Sequence, residues 1–374
     1  MWLFITDNWL HILLAFSWLV LAFAWPLKGG GFWKVDQRLS LTPQKLKAPP
    51  SVAIIVPARN EAEVIAQTAQ GLLSQNYQGE FTITIVNDSS TDDTAKIVEG
   101  LDGKNLTLVN TTPLPDGWAG KMWALYNGIE TAEHQSPEYY WLTDADILHK
   151  ANVLTNLVTH AENNQMALVS EMVKLRCNTF WEKLLTPAFI FYFSLIYPFR
   201  AVNDPNSEIA GAAGGSILVR RQALEDIGGI KALKGAVIDD CTLAKLIKGS
   251  GRNIWLGFGE RSTSLRGNDT LADHWQMVQR SAYTQLGFSP VLLVAAMIGL
   301  AFSHILPVLL FSWPALLIMA VIYWPTIRFY GLSPIWALTL PISAILFGLM
   351  TISSALSYHL GWSNKWRDRQ IAKS

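Results

Sequence analysis

The chain has 374 residues, of which 50% are hydrophobic and 16% charged, with a formal net charge of +0. That is too apolar for an ordinary soluble enzyme, and long enough for one domain of roughly 200–250 residues plus membrane segments. The charge balance gives no reason to expect a nucleic-acid partner, and Cys177 and Cys241 offer neither a disulfide framework nor metal-type spacing.

From the N-terminus, residues 9–26 carry no charge after Asp7, close to the roughly 20 apolar residues that a membrane span needs. Ala22-Phe23-Ala24 imitates a signal-cleavage site, but no Lys or Arg precedes the run and Asp7 stands where a positive region belongs. Residues 1–27 are therefore read as an uncleaved anchor. Lys28, Lys34, Arg38, Lys45 and Lys47 follow it and place the region 28–284 on the cytoplasmic side.

Val52 to Pro57 is a continuous β-branched apolar run, the pattern of a buried parallel strand. Helical spacing follows over 61–75, a second strand over Phe81 to Val86, and a helix over 91–101 with Ser90 or Thr91 as its cap. Leu106 to Val109 gives a third strand, Lys121 to Glu130 a helix, and Tyr139 to Thr143 a fourth strand. This alternation predicts an α/β fold with a mostly parallel, Rossmann-like sheet and helices on both faces. Ligands in such sheets bind at the carboxyl ends of the strands, where Arg59, Asp88 and Asp144-Ala145-Asp146 fall. Two carboxylates on alternate residues after a buried strand are costly to desolvate unless a cation or ligand donors compensate them. Pro57-Ala58-Arg59-Asn60-Glu61 holds no glycine-rich turn, which argues against a dinucleotide cofactor, and no phosphate-loop lysine motif occurs.

Further along, Leu184 to Phe199 is apolar but short and carries Pro187 and Pro198, so it is read as an interfacial or core helix. Gly211 to Gly215 is read as a close backbone approach beside the site or as a plain tight turn. Asp239-Asp240 precede a short helix over Thr242 to Ile247; helix capping and catalysis are both open to that pair. Asp92 and Asp93 complement a helix dipole, and His149 and His274 are read as structural. Residues 285–360 are almost wholly apolar and suit about three spans, near 288–311, 313–330 and 334–357. Several tryptophans lie near their ends, as an aromatic belt would require. Three spans would carry the basic tail 361–374 to the other side, against the positive-inside rule.

Five motifs in order resemble the inverting GT-A enzymes of glycosyltransferase family 2: Pro57 to Glu61, Asn87 to Thr94, Gly120-Lys121, Asp144-Ala145-Asp146 and Asp239-Asp240. The likeness spans roughly residues 50–285. Gly117-Trp118-Ala119-Gly120-Lys121, the Pro187 to Pro198 segment, Met277 to Arg280 with Tyr283 to Leu286, and the apolar C-terminal block resemble in detail the bacterial hopene-associated glycosyltransferases. The resemblance implies a multi-pass protein of the bacterial inner membrane with a cytoplasmic catalytic domain. That protein would move one sugar from a nucleotide-diphosphate donor, a UDP-sugar, to a hopanoid or polyprenoid lipid. Pro57, Ala58, Arg59 and Glu61 would line the nucleoside pocket, and Asp88 would accept the uracil N3–H. Asp144 and Ala145 would face the donor, Asp146 would be the direct ligand of Mg²⁺ or Mn²⁺, and Asp144 would contact ribose or metal. Lys121 and Arg280 would meet the diphosphate charge. Asp240 would be the base, with Asp239 as the second choice. Polymerising members carry Gln-x-x-Arg-Trp, whereas this chain reads Gln276-Met277-Val278-Gln279-Arg280-Ser281. That departure weighs against the alternative of a processive synthase. A non-catalytic sugar-nucleotide-binding membrane protein is the other alternative.

Overall fold

A computed structural model describes residues 2–24, 30–40, 46–361, 365–366 and 369–370. The expected boundary at 27–28, Lys28, Lys45 and most of the basic tail lie outside these residues. The chain forms two compact units that interleave in sequence. One comprises Asp36–Leu175, Val202–Arg266 and Lys365–Ser374; the other comprises Met1–Val35, Arg176–Ala201 and Gly267–Asn364.

The first unit is built on an eight-stranded sheet. Its strands are β1 (Val52–Ala58), β2 (Phe81–Asn87), β3 (Leu106–Asn110), β4 (Tyr139–Thr143), β5 (Ile147–His149), β6 (Leu168–Lys174), β7 (Ser216–Arg220) and β8 (Ile254–Ser264), in the order β3-β2-β1-β4-β7-β6-β8-β5. β1 buries nearly every residue because both of its faces are covered. Ile54, Val56, Ile83 and Ile85 pack on one side with Ile65, Ala69 and Leu72 of the helix Ile65–Leu73 and with Leu154 and Leu157 of the helix Val153–Asn163. On the other side, Gly128 of the helix Gly120–Ala132 lies so close to Ile55 and Val86 that a methyl group would not fit. Strands β1 to β4 pair in parallel. The β1–β4 ladder ends at Ile55–Leu142, so the two strands have parted by Pro57, which has no N–H to give. That parting opens the sheet edge above Asp144.

Beyond β4 the sheet is mixed, which corrects the expectation of a mostly parallel one. β7 runs antiparallel to both β4 and β6, and β5 runs antiparallel to β8, while β6 and β8 are parallel. The reason is local: β7 is a four-residue buried run whose pattern is the same in either direction, and no strand–helix alternation fixes its sense.

The second unit is helical. The helix Phe180–Ile196 starts with a Thr179/Glu182 capping box and buries Leu184, Leu185, Ala188 and Phe191. Around that face pack Trp18 of the helix Trp2–Ala24, Tyr323 of Trp313–Phe329, and Phe347 and Met350 of Leu340–His359. Two continuous helical stretches, Pro290–Leu309 and Pro334–His359, are long and apolar enough to cross a membrane; Trp313–Phe329 is shorter. A five-residue π-helical turn, Ala301–Ile305, lies within the first of them.

Candidate functional site

The loops leaving β1 and β2 cross and lock at the sheet's carboxyl edge. Asn60 and Ser89 both adopt left-handed backbone with φ 53°, a conformation that non-glycine residues hold only when surroundings impose it. The partners are on hand: Asn60 N–H donates to Ser90 Oγ at 3.1 Å, and Thr91 N–H to Asn60 Oδ1 at 2.8 Å. Ser90 thus serves the neighbouring loop rather than capping the helix Thr94–Glu99; Asp92 Oδ1 takes the Thr94 N–H instead, at 3.0 Å. Arg59 Nη1 donates to the carbonyls of Asp88 (2.6 Å) and Ser89 (3.1 Å). Asp88 is buried, and its Oδ1 accepts the Thr111 hydroxyl at 3.3 Å. Glu61 is buried too, with Oε2 3.0 Å from Nη2 of Arg266, which also donates to Asn60 O at 3.1 Å. This group balances Arg59 and Arg266 against Glu61 and Asp88.

A second group gathers past the end of β4. Lys121 Nζ lies 2.9 Å from Asp144 Oδ1 and 3.4 Å from Asp239 Oδ2. Asp239 and Asp240 occupy the first turn of the helix Asp239–Gly249, whose N-cap residue, Ile238, makes no side-chain cap; the helix dipole favours negative charge there. Asp240 Oδ2 accepts Gly214 N–H at 2.8 Å, and its Oδ1 accepts Cys241 N–H at 2.7 Å. The glycine run is a close backbone approach: a Cβ on Gly214 would sit 3.2 Å from Lys121 Nζ and 3.3 Å from Asp240 Oδ2. The flanking residues are pinned as well, Ala213 N–H to Ser170 Oγ at 2.9 Å and Gly215 O by the Thr143 hydroxyl at 2.8 Å. Pro57, Lys121, Thr143, Asp144, Gly214, Asp239 and Asp240 line one pocket, walled by Leu125, Ile217 and Leu243.

One ammonium among these carboxylates sets their electrostatics. Burial pushes the Asp240 carboxyl up to about 6 and the neighbouring charge of Asp239 adds to this, while Lys121 works the other way. Burial disfavours the Lys121 ammonium, yet Asp144 and Asp239 outweigh it and hold its pKa above the ordinary lysine value.

Asp88 and Asp146 do not line that pocket. Asp146 follows Asp144 on the turn into β5, and its carbonyl accepts Leu265 N–H at 2.8 Å. Ala145 is buried, with its carbonyl holding the Thr68 hydroxyl at 2.8 Å. Arg280 belongs to the helical unit, where it caps the C-terminus of the helix Leu271–Gln279. His274, also in that unit, has Nε2 3.3 Å from Thr186 Oγ1. Among the described residues, no three His, Cys, Asp or Glu side chains converge on a metal position. Asp144 and Asp146, the pair expected to hold a metal, are both partly exposed, and Asp144 Oδ1 is engaged by Lys121; a hard cation held by two carboxylates would complete its shell from diphosphate and water.

Sequence reasoning did not find Arg266, Thr111 or the Gly214 N–H. Arg266 is a single arginine in a polar loop with no motif around it, and a backbone donor leaves no mark on residue identity.

Residues 53–228 match the family model described as Glycosyl transferase family 2. Two curated relatives are similar: a probable glycosyltransferase, YdaM, of Bacillus subtilis, 27% identical over 58% of this chain and 52% of its own length, and a 4,4'-diaponeurosporenoate glycosyltransferase of Staphylococcus aureus, 28% identical over 47% and 49%. The chain thus spans about half the length of these relatives. Among solved structures, a mannosyltransferase from Pyrobaculum calidifontis in complex with GDP-Man and Mn²⁺ shares the fold, with a TM-score of 0.55 and 20% identity over 93% of this chain and 98% of that one. Residues 53–228 are thus similar to glycosyltransferase family 2, and the α/β fold is the one shared with that mannosyltransferase.

Proposed function

We propose that this protein transfers a single sugar from a nucleotide-diphosphate donor to a lipid acceptor by direct, inverting displacement, with Asp240 as the base. The observation that carries this reading is the Asp240 carboxylate, held by two backbone N–H groups and shifted upward into the range of a general base. In the displacement, the acceptor hydroxyl oxygen forms the new bond to the anomeric carbon and its proton passes to Asp240. The bond to the diphosphate oxygen breaks, and the leaving nucleotide carries away that electron pair. Lys121 holds Asp144 and Asp239 in place as that negative charge builds.

Asp144 and Asp146 would hold a divalent cation, which supplies positive charge at the leaving diphosphate. The balanced group around Glu61, Asp88 and Arg266 would take the nucleoside, where its buried acceptors select base N–H donors. Arg280 is kept as a diphosphate contact only by the resemblance.

A lipid acceptor is supported by the S. aureus relative's name and by the helical unit. Along Pro290–Leu309, Val291, Val294 and Ile298 are 76%, 57% and 64% exposed; water would not tolerate such a stripe, but a bilayer would. Membrane attachment, a cytoplasmic catalytic domain and a hopanoid or polyprenoid acceptor belong to the same proposal. The absence of the Arg-Trp pair at Arg280-Ser281 favours single transfer over polymerisation.

The test is purified full-length protein in detergent with radiolabelled UDP- and GDP-sugars and bacterial lipid extract. A lipid-soluble labelled product from one donor class is expected. No product from any donor would overturn the reading.

A further inference from the structure

From Thr143, which lines the pocket, a set of buried polar side chains runs back into the sheet, and the transfer chemistry assigns none of them a role. Thr143, His149, Glu171 and Ser262 are each at most 5% exposed. Thr143 Oγ1 lies 2.7 Å from His149 Nε2 and donates to Gly215 O at 2.8 Å. His149 Nδ1 lies 2.9 Å from Ser262 Oγ, which lies 3.3 Å from Glu171 Oε2. Space for the glutamate is made by Gly259, where a Cβ would stand 3.3 Å from Glu171 Cβ.

Proton counting along this chain, with His149 neutral, fixes the direction of each hydrogen bond. The Thr143 hydroxyl has a single hydrogen, and it goes to Gly215 O. His149 must then donate from Nε2 to Thr143. A neutral imidazole has one ring proton, so Nδ1 must accept the Ser262 hydrogen. Ser262 then meets Glu171 as an acceptor, which a neutral glutamic acid satisfies; were Ser262 to donate to Glu171 across the 3.3 Å contact instead, His149 would have to carry both ring protons, which its burial opposes.

We propose that Glu171, Ser262 and His149 act as positioning residues: their aligned hydrogen bonds end on Gly215 O, fix the Gly214-Gly215 backbone, and so aim the Gly214 N–H that holds Asp240. Two further facts agree. Burial pushes the Glu171 carboxyl up to about 7 and the His149 imidazole down to about 3, which favours the neutral form of each. Within the chain, the other titratable group is His149 on β5. The adjoining stretch of β8 carries Glu260, which pairs with Arg38, and Arg261; β7 presents Ser216, which takes the Trp141 indole N–H. When Glu171 loses its proton the chain reverses: Ser262 turns to the carboxylate, the ring proton moves to Nδ1, and Thr143 turns from Gly215 O to Nε2.

The inference rests on the reading of Asp240 as base, so its test has an arm independent of turnover. The variants are Glu171→Gln, whose amide can still donate to Ser262, Glu171→Leu, of similar size and unable to donate, and Ser262→Ala. In full-length protein, E171Q is expected to keep kcat within threefold at neutral pH and to hold it at pH 8.5, where the unaltered chain loses several-fold at unchanged donor KM. E171L and S262A are expected to lose kcat tenfold or more. If E171L does not fold, S262A alone decides. The independent arm is the unfolding midpoint against pH. Native Glu171 keeps a proton that the unfolded chain releases between about pH 4.5 and 7, so the unaltered chain should lose stability relative to E171Q as pH rises through that window. Equal kcat losses in E171Q and S262A, or a midpoint difference that does not vary with pH, would overturn the inference. A fully active Asp240→Asn would instead overturn the base assignment alone.

Discussion

Two clusters of charge sit at the same sheet edge and differ in their balance. At the ends of β1 and β2, Arg59 and Arg266 meet Glu61 and Asp88, and each charge finds a partner or a backbone group. Past β4, the single ammonium of Lys121 faces Asp144, Asp239 and Asp240. A group whose charges are matched is suited to recognition. An acidic group held short of cations takes up protons and cations readily, which suits a base beside a metal-assisted leaving group. The division of labour proposed above follows from that contrast.

The largest expected effect comes from removing the excess charge at the base. Asp240→Asn should lower kcat by about 10²- to 10⁴-fold, the usual worth of a general base, while titration calorimetry finds donor affinity within twofold. A variant that binds the donor and turns over normally would erase the contrast. Breaking the balanced group should act differently. Arg266→Met strands Glu61, a buried carboxylate, and should cost about 2–3 kcal/mol of stability, seen as a lower denaturation midpoint together with a raised donor KM. Lys121→Met should move the pH dependence rather than abolish folding. Without the ammonium that lowers the Asp240 pKa, the acid limb of the rate profile should shift upward by about one unit, roughly 1.4 kcal/mol. The smallest effect is expected from Gly214→Ala, whose methyl group would crowd Lys121 Nζ and Asp240 Oδ2 by a few tenths of an ångström. A fall of a few-fold in kcat would match, and unchanged kinetics would show that the Gly214 contact is not needed.

The parallel half of the sheet was legible because each strand there is a short, mostly apolar run and helices separate the four strands, so Arg59, Asp88 and Asp144 could be placed at strand ends from spacing alone. Legibility failed where direction and backbone decide. β7 reads the same in either sense, and its antiparallel insertion between β4 and β6 brings Gly214 against Asp240. Ser90 or Thr91 was expected to cap a helix, and both instead hold Asn60, whose left-handed turn needs local partners. His149 was read as a structural histidine; its two neighbours, Thr143 and Ser262, are six and 113 residues away, and no local pattern joins them. Nor does chain order show that Arg176–Ala201 groups with the apolar helices.

The most direct test is the pH dependence of single-turnover transfer by the full-length protein at saturating donor. Asp240 must be ionised to take the acceptor proton, so the account predicts a rate that falls on the acid side with an apparent pKa of about 6. A profile that stays level from pH 5 to 8 would contradict it.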